Sequence, residues 1–297
     1  FNINKLWKGF SFELLKRIKC IIKNYDILHI HELWHFPHFL VYSIRKDKPY
    51  IVTIHGGLEP WCLTYKRLKK DIYSFVIQRR ILEEASALHA ITEEEFRNIC
   101  KFTDNKNVVL IPNGLNIENF ANLPEKEWFE NFYPELKSKK VVLFLGRIHP
   151  IKGLDILAKA FGLIVKKRKD VQLVVAGPDS DDYKKSIFEI LKVENAMDNT
   201  TFTGMLTDNY KLGALSRADV FVLPSYSEGF SVSILEAMAC KIPVVITRNC
   251  NFFEVEKVGA GRVVSADVNE LSGVLIELLD NPKLCNEMGN RGRRLVM

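Results

Sequence analysis

Long apolar runs and paired cysteines are both missing from this sequence. No stretch approaches the roughly 20 consecutive apolar residues of a membrane span, and the 6 cysteines among the 297 residues form no C-x-x-C pair. This argues against a disulfide framework or a cysteine zinc site and fits a reduced cytosolic chain. The G-x-x-x-x-G-K-[ST] spacing of a Walker A phosphate loop is absent as well. The apolar and charged fractions, 47% and 26%, are those of an ordinary globular protein.

Negative charge is scarce in the first part of the chain. Residues 1–82 contain 15 Lys and Arg against 6 Asp and Glu, whereas the rest contains 27 against 30, within a net charge of +6. Two predicted basic helices, Lys5–Asn24 and Tyr65–Arg80, contain much of the excess. The excess indicates either an anionic partner, such as an anionic membrane surface, or a solvated lysine-rich face. It accompanies no nucleic-acid-reading module, so no nucleic-acid partner is predicted.

Short β-branched runs alternate with longer stretches of helical period. This alternation predicts an α/β protein whose parallel sheets are covered by helices. Ten runs exceed one ordinary sheet, so we predict two doubly wound, Rossmann-like domains, residues 1–136 and 137–297. The ten predicted strands are Tyr25–His31, Tyr50–His55, Ala87–Thr92, Val108–Pro112, Val141–Gly146, Val171–Ala176, Thr200–Thr203, Val220–Pro224, Pro243–Thr247 and Arg262–Ser265.

The two predicted domains differ in their number of strands. The second has six, a complete Rossmann-like set, and the first has four and begins inside a basic helix. At roughly 30 residues for each βα unit, about two units are expected to be missing from the first domain. The segment Arg291–Met297 also ends within a predicted helix. We therefore expect a fragment of a longer protein.

Two cations follow the predicted strand Val141–Gly146, in the segment GRIHPIKG. A glycine turn, Arg147, Lys152 and a helix start together favour a phosphate site, because helix N-termini and cations both attract anions. Ligands of open α/β sheets also bind at the carboxyl ends of the strands. The alternative is that Arg147 and Lys152 are solvated surface cations.

Two carboxylates follow the predicted strand Val220–Pro224. Glu228 lies in a loop beside Gly229, and Glu236 lies along a helix predicted to begin near Ser231. Gly229 lets backbone N–H groups approach a ligand closely. One carboxylate could accept hydrogen bonds from sugar hydroxyls and the other could bind a ribose diol. The alternative is a capping role for Glu228 and a surface position for Glu236.

The E-x7-E spacing within SEGFSVSILEAMACKIPVV resembles the signature of retaining glycosyltransferases of family four. GRIHPIKG, VVAGPD, FTGML and SRADVFVLPS stand in the matching order. In the first half, TIHGGLEPW, SALHAIT and VVLIPNG are similar to segments of the bacterial polysaccharide-assembly members. These motifs together cover nearly the whole chain.

The resemblance implies a GT-B fold, in which two Rossmann-like domains face a cleft. It also implies a nucleotide diphosphate sugar that is held mainly by the second domain, without a required metal. The implied catalytic residues are Glu228 near the transferred sugar, His55 of the first domain reaching that sugar, and Arg147 and Lys152 at the diphosphate.

Further donor contacts are implied by the same resemblance. They are Glu236 at the ribose, the segment Gly229, Phe230 and Ser231 at the sugar and phosphate, and Met205 and Leu206 at the base. The family's opening glycine-rich loop, which faces the diphosphate, has no counterpart in this sequence.

A zinc-protease pattern, H-E-x-x-H, occurs as His31-Glu32-Leu33-Trp34-His35. Such a pattern binds zinc only on a helix, where both histidines share a face. Here it follows a predicted strand and precedes Pro37, so a zinc hydrolase is disfavoured and no metal site is predicted. His31 and Glu32 are instead expected to contact an acceptor or to cap the next helix.

The resulting hypothesis is a hexosyltransferase of polysaccharide biosynthesis. It would move a hexose from a nucleotide diphosphate sugar to a glycan or a lipid-linked acceptor, with retention. Its location would be cytoplasmic or peripheral on the inner face of the plasma membrane. The alternatives are a non-catalytic nucleotide-sugar-binding subunit, a nucleotide-sugar epimerase on the same fold, or a phosphorylase, for which no pyridoxal phosphate lysine stands out.

Overall fold

The structure, a computed structural model, describes residues 11–64, 77–180 and 182–297. The chain divides into two compact units, Phe1–Asn113 and Gly114–Met297. This division precedes the predicted boundary between residues 136 and 137. The difference has a physical cause, because Phe120, Phe129 and Leu136 are buried in the core of the second unit.

The described residues of the first unit, 11–64 and 77–113, form four parallel strands in the order β1-β2-β3-β4. Their bounds are Leu28–His31, Tyr50–Thr53, Ala87–Ala90 and Val108–Leu110. The helices of the described part are α1 Phe12–Ile21, α2 Phe36–Ile44, α3 Pro60–Thr64, α4 Arg79–Glu83 and α5 Glu93–Phe102.

The predicted basic helices are described only in part. Within the described residues, the helix predicted over Lys5–Asn24 is α1, followed by a 3-10 turn at Ile22–Asn24. Ser11 is the N-cap residue of this helix, and its side chain accepts a hydrogen bond from the backbone N–H of Leu14, a common N-cap contact. Most of the helix predicted over Tyr65–Arg80 lies outside the described residues.

The second unit contains six parallel strands in the order β10-β9-β8-β5-β6-β7. Their bounds, from β5 to β10, are Lys140–Leu145, Val171–Ala176, Thr200–Gly204, Val220–Leu223, Val244–Thr247 and Gly261–Val264. Its helices are α6 Lys126–Glu130, α7 Leu154–Lys167, α8 Tyr183–Val193, α9 Asp208–Arg217, α10 Val232–Ala239, α11 Glu254–Lys257, α12 Val268–Asp280 and α13 Pro282–Val296. Each of the ten predicted runs overlaps a strand, and the α/β prediction is confirmed.

The winding direction of the second sheet reverses between β5 and β8. The chain passes from β5 outward to β6 and β7, and then returns to the other side of β5 as β8. Ligands of doubly wound sheets bind outside the carboxyl ends of the strands at such a switch point. The loops that follow β5 and β8 are therefore the ones whose side chains matter for binding.

None of the helices in the described ranges is long and apolar enough to cross a membrane. All 6 cysteines are free thiols in the structure.

Arg217, at the end of α9, connects the segment before β5 to the second sheet. Its guanidinium is 2.6 Å from the Glu130 carboxylate and donates to the carbonyl groups of Leu136 and Lys139. It also lies 3.4 Å from the carboxylate of Asp219. Arg217 is only 5% exposed, so its charge depends on these acceptors rather than on water.

We expect Arg217→Met to lower the free energy of unfolding of the second unit by about 3 kcal/mol, because it leaves the largely buried Glu130 carboxylate without its partner. Chemical denaturation measures this change. The matched control is Arg294→Met, at an exposed arginine of α13, which should stay within about 0.5 kcal/mol of the wild type. Equal unfolding midpoints for the two variants would contradict a structural role of Arg217.

Candidate functional site

The loops after β5 and β8 touch each other through their backbones. The first loop contains Arg147 and a 3-10 turn ending at Lys152, followed by Gly153 with a φ of +68°. A Cβ atom at Gly153 would lie 1.9 Å from the carbonyl oxygen of Pro224, so only glycine fits there. The backbone N–H of Tyr226 also donates to the carbonyl of Ile151 at 2.8 Å.

This contact brings Lys152 and Glu228 together as an ion pair. The Lys152 and Glu228 side chains are only 15% and 10% exposed. The hydroxyl of Ser225 donates to the same carboxylate oxygen at 3.0 Å. The loop backbone is held as well, because Asn251 donates to the carbonyl of Glu228 at 3.0 Å. The capping alternative for Glu228 is wrong, because its side chain pairs with Lys152 and Ser225.

Arg147 directly follows Gly146 at the end of β5 and is exposed. The Arg147 guanidinium forms no ion pair with any residue that the structure describes. Its guanidinium is therefore available to an anion at the same edge of the sheet as Lys152.

Glu236 also has a lysine partner. It lies on α10, and the Nζ atom of Lys211 on α9 is 2.7 Å from its Oε1 atom. Glu236 is not the surface residue of the alternative interpretation, since its side chain is only 12% exposed. No sequence pattern indicates Lys211 as a partner, because its 25-residue separation from Glu236 follows no local periodicity.

The segment from Gly229 to Ser231 leads into α10. The helix begins at Val232, close to the start predicted near Ser231, and Ser231 is its N-cap residue. The ring centroids of Phe230 and Phe252 are 5.2 Å apart. This aromatic contact orients the segment. The first N–H groups of a helix have no partner inside it and favour anions.

The residues predicted to line the base follow the edge strand β7. Met205 is 70% exposed, whereas Leu206 packs partly against the core. An exposed methionine is available for contact with a flat ring, and its flexible side chain adapts to such a surface.

Burial disfavours the thiolate form of two cysteines of this unit, Cys240 and Cys250. Burial raises the pKa of Cys250 to about 12, and it raises the pKa of Cys240 to about 12 as well. Since the thiolate is the reactive form, neither cysteine contributes nucleophilic chemistry at neutral pH.

His55 lies in the first unit, at the carboxyl end of β2. Its Nε2 atom is 2.9 Å from Nδ1 of His31, the last residue of β1, so one proton is shared between the two rings. The His29 ring stacks on His31 with 4.2 Å between centroids. Partial desolvation lowers the pKa of His55, and the neighbouring His31 lowers it further. The lowered pKa favours the neutral ring of His55, which has a single N–H.

A second chain of hydrogen bonds runs beside this pair. Nε2 of His29 is 2.7 Å from the Thr53 hydroxyl, which is 2.9 Å from Nδ1 of His89. Nε2 of His89 is 2.8 Å from the carbonyl of Ile111. The carbonyl of Ile111 only accepts, so Nε2 of His89 donates in that hydrogen bond.

The H-E-x-x-H segment is not helical. His31 ends a strand, Glu32 and Trp34 have φ angles of +72° and +67°, and His35 is the N-cap residue of α2. The local structure thus agrees with the interpretation that this pattern has no zinc-protease geometry. Across residues 11–64, 77–180 and 182–297, no three His, Cys, Asp or Glu side chains are grouped to hold a metal ion.

Two family models match the chain. The model of "Glycosyl transferases group 1" matches residues 125–295, which include both switch-point loops, and that of "Glycosyltransferase Family 4" matches residues 3–119. The chain belongs to the group 1 glycosyltransferases. The predicted family is thus confirmed.

Relatives and solved structures agree with this family. The chain is 28% identical to a phosphatidyl-myo-inositol mannosyltransferase of Mycobacterium leprae, over 88% of this chain and 66% of that protein. It is also 28% identical to O-antigen chain mannosyltransferase C of Escherichia coli, over 96% and 74%. HepE of Anabaena, solved with UDP and glucose, superposes with a TM-score of 0.82 at 16% identity, covering 100% of this chain and 78% of that one. This superposition confirms the GT-B fold.

The chain is shorter than the family members it matches. It spans about two thirds of the length of the mycobacterial relative and about three quarters of the E. coli relative.

The Lys152–Glu228 pair should behave as one energetic unit. We expect Lys152→Met and Glu228→Gln each to lower the free energy of unfolding by about 3 kcal/mol, because each leaves a largely buried partner behind. The destabilisation of the double variant should be smaller, by at least about 1 kcal/mol, than the sum of the two single-variant destabilisations. A double-mutant cycle by chemical denaturation measures this coupling.

The exposed pair Lys192–Glu189, at 2.8 Å, is the control cycle, with an expected coupling of about 0.5 kcal/mol or less. Equal coupling in the two cycles would show that the Lys152–Glu228 pair is no more than a surface contact.

Proposed function

We propose that the protein is a retaining hexosyltransferase that uses a nucleotide diphosphate sugar as its donor. The observation that supports it most is the grouping of Arg147, Lys152 and Glu228 at the switch point of a Rossmann-like sheet. HepE, with the same fold, was solved with UDP and glucose, and the two relatives above are named mannosyltransferases. The proposed acceptor is a glycan or a lipid-linked sugar of polysaccharide biosynthesis.

The proposed chemistry follows from the charges in the site. Glycosyl transfer develops positive charge on the sugar and negative charge on the departing diphosphate. Fixed cations at the leaving group stabilise that negative charge in the transition state. We assign this role to Arg147 and Lys152, which supply two positive charges without a metal ion. Transfer should then persist in the presence of a chelator such as EDTA.

The two carboxylates receive different roles. Glu236 would accept hydrogen bonds from the ribose diol, with Lys211 holding its carboxylate in place. Glu228 would face the transferred sugar. His55 would accept from His31 at Nε2 and donate to that sugar from Nδ1. Since Lys152 already contacts Glu228, binding of a diphosphate requires Lys152 to divide its three N–H donors between carboxylate and phosphate.

Retention of configuration suggests attack on the same face of the sugar that the diphosphate leaves. The acceptor hydroxyl would form the new bond to the anomeric carbon as the bond to the diphosphate breaks. Its proton would pass to the departing phosphate oxygen. A non-catalytic subunit would bind the donor without this reaction, so release of labelled sugar to an acceptor distinguishes the two functions.

The binding step has a direct test. A thermal-shift screen of uridine, guanosine and adenosine diphosphates first identifies the base. A ligand at about 100 times its Kd should add roughly 2.7 kcal/mol to the stability. Arg147→Ala should then raise the Kd of that diphosphate by about 10- to 100-fold, because a charged hydrogen bond contributes about 1.5–3 kcal/mol.

Calorimetry measures the two affinities. Arg294→Ala, at the exposed arginine of α13, is the matched control and should bind like the wild type. If Arg147→Ala bound the diphosphate with wild-type affinity, the phosphate role of this loop would be wrong.

We further propose that the first unit associates with an anionic membrane surface from the cytoplasmic side. A cavity of about 680 Å³ opens between the end of α1 and the loop that joins α2 to β2. Its lining includes five cations, namely Lys19, Lys23, Arg45, Lys46 and Lys48. Each cation near an anionic leaflet contributes about 1 kcal/mol of attraction.

Cosedimentation with vesicles tests this association. We expect binding to anionic vesicles at low salt, weaker binding at high salt and little binding to neutral vesicles, since salt screens exposed charges. Lys19→Glu/Lys23→Glu should reduce the bound fraction, whereas the control Lys166→Glu/Lys192→Glu, at exposed lysines of the second unit, should not. Equal binding to both vesicle types would mean that the charge excess is only a solvated surface.

A further inference from the structure

Glu95 of the first unit is a buried carboxylate that connects two loops. It is 1% exposed and lies in the first turn of α5. Its Oε1 atom accepts the backbone N–H of Gly56 at 2.6 Å, and its Oε2 atom accepts that of Ile91 at 2.7 Å. Gly56 directly follows His55, and Ile91 directly follows β3. One side chain therefore joins the loop that presents His55 to the neighbouring strand end.

The loop adopts a backbone conformation that requires support. His55 and Gly56 have φ angles of +51° and +73°, so two consecutive residues lie in the left-handed region. A residue with a Cβ adopts this region only at an energetic cost, which surrounding contacts must offset. The hydrogen bond from Gly56 to Glu95 is one such contact. A second is the Trp34 indole N–H, which donates to the carbonyl of Gly57 at 3.0 Å.

A carboxylate suits this position better than an amide. Both oxygens of Glu95 accept a backbone N–H, and burial leaves few other partners for either donor. A glutamine would offer one oxygen, and its NH₂ group would face a second N–H donor. One of the two backbone groups would then be buried without an acceptor, which favours opening of the loop.

The sequence shows only part of this arrangement. Thr92 and Glu95 form the T-x-x-E spacing of a capping box, and the Thr92 hydroxyl does accept from the backbone of Glu95 at 3.1 Å. In a capping box the glutamate would return to the backbone of Thr92 itself. Here it reaches Ile91 and, 39 residues away, Gly56.

We infer that Glu95 is a positioning residue for His55, acting through the backbone of Gly56 and not by contact with the substrate. Its catalytic consequence rests on the proposed function, in which His55 donates to the transferred sugar. The backbone connection itself does not depend on that function.

Amide exchange tests the connection. With ¹⁵N-glycine labelling, Glu95→Ala, which removes both acceptor oxygens, should speed exchange of the Gly56 amide by about tenfold or more, the equivalent of one lost hydrogen bond. Gly162, in α7 of the second unit, should exchange as in the wild type. Thr92→Ala is the matched control, because it weakens the start of the same helix and leaves the carboxylate intact. It should leave exchange of the Gly56 amide nearly unchanged.

Steady-state kinetics test the effect of Glu95 on catalysis. Glu95→Gln should lower kcat by about 10- to 100-fold, as expected for a displaced reacting group, and leave the affinity for the nucleoside diphosphate unchanged. Thr92→Ala and the exposed Glu93→Gln should retain wild-type kcat. Adding Glu95→Gln to His55→Ala should cause little further loss, because the two residues act on one function.

Two results would overturn the inference. One is a Gly56 amide that is as protected in Glu95→Ala as in the wild type. The other is a full additional loss of kcat when Glu95→Gln is combined with His55→Ala. If His55→Ala alone retained wild-type kcat, the proposed role of His55 would be wrong, and the exchange data would still decide whether Glu95 holds the loop.

Discussion

The close approach of the backbone at Gly153 to that of Pro224 is the constraint on which the second-unit site depends. There is no room for a Cβ atom at residue 153, whose Cβ would overlap the Pro224 carbonyl. Because of this contact, the loop after β5 lies directly against the loop after β8. Lys152, the residue before the glycine, can therefore form its ion pair with Glu228. Any side chain at 153 would separate the two loops, and with them the cation from the carboxylate.

The sequence predicts the sheets well because parallel buried strands are encoded locally. Runs such as Val171–Ala176 are apolar on both faces, as expected for strands covered by helices on two sides. Residues that follow such runs lie at the carboxyl edge of the sheet, so Arg147 and Glu228 could be assigned to that edge from spacing alone. The domain boundary is less local, since Phe129 and Leu136 join the second core through contacts that no nearby pattern reveals.

The partners of the site residues could not be predicted in the same way. Lys211 lies 25 residues from Glu236, and Glu95 lies 39 residues from Gly56. Each pair meets only because parallel strands bring the loops that follow them to one edge of a sheet. A lysine on an amphipathic helix, or a glutamate in the first turn of one, has the same local pattern whether it is solvated or paired. The sequence therefore indicates which residue types reach the edge, and the fold decides which of them touch.

The pairing of both candidate carboxylates with lysines affects how the site distinguishes its ligands. On the proposed roles, a diphosphate takes part of the Lys152 N–H donors from Glu228, and the largely buried carboxylate then needs further donors. The hydroxyls of a transferred sugar can supply them, whereas a nucleoside diphosphate without a sugar cannot. Lys152 thus couples recognition of the sugar to binding of the diphosphate. Once the sugar has been transferred, the Glu228 carboxylate again lacks those donors. This loss favours release of the nucleoside diphosphate.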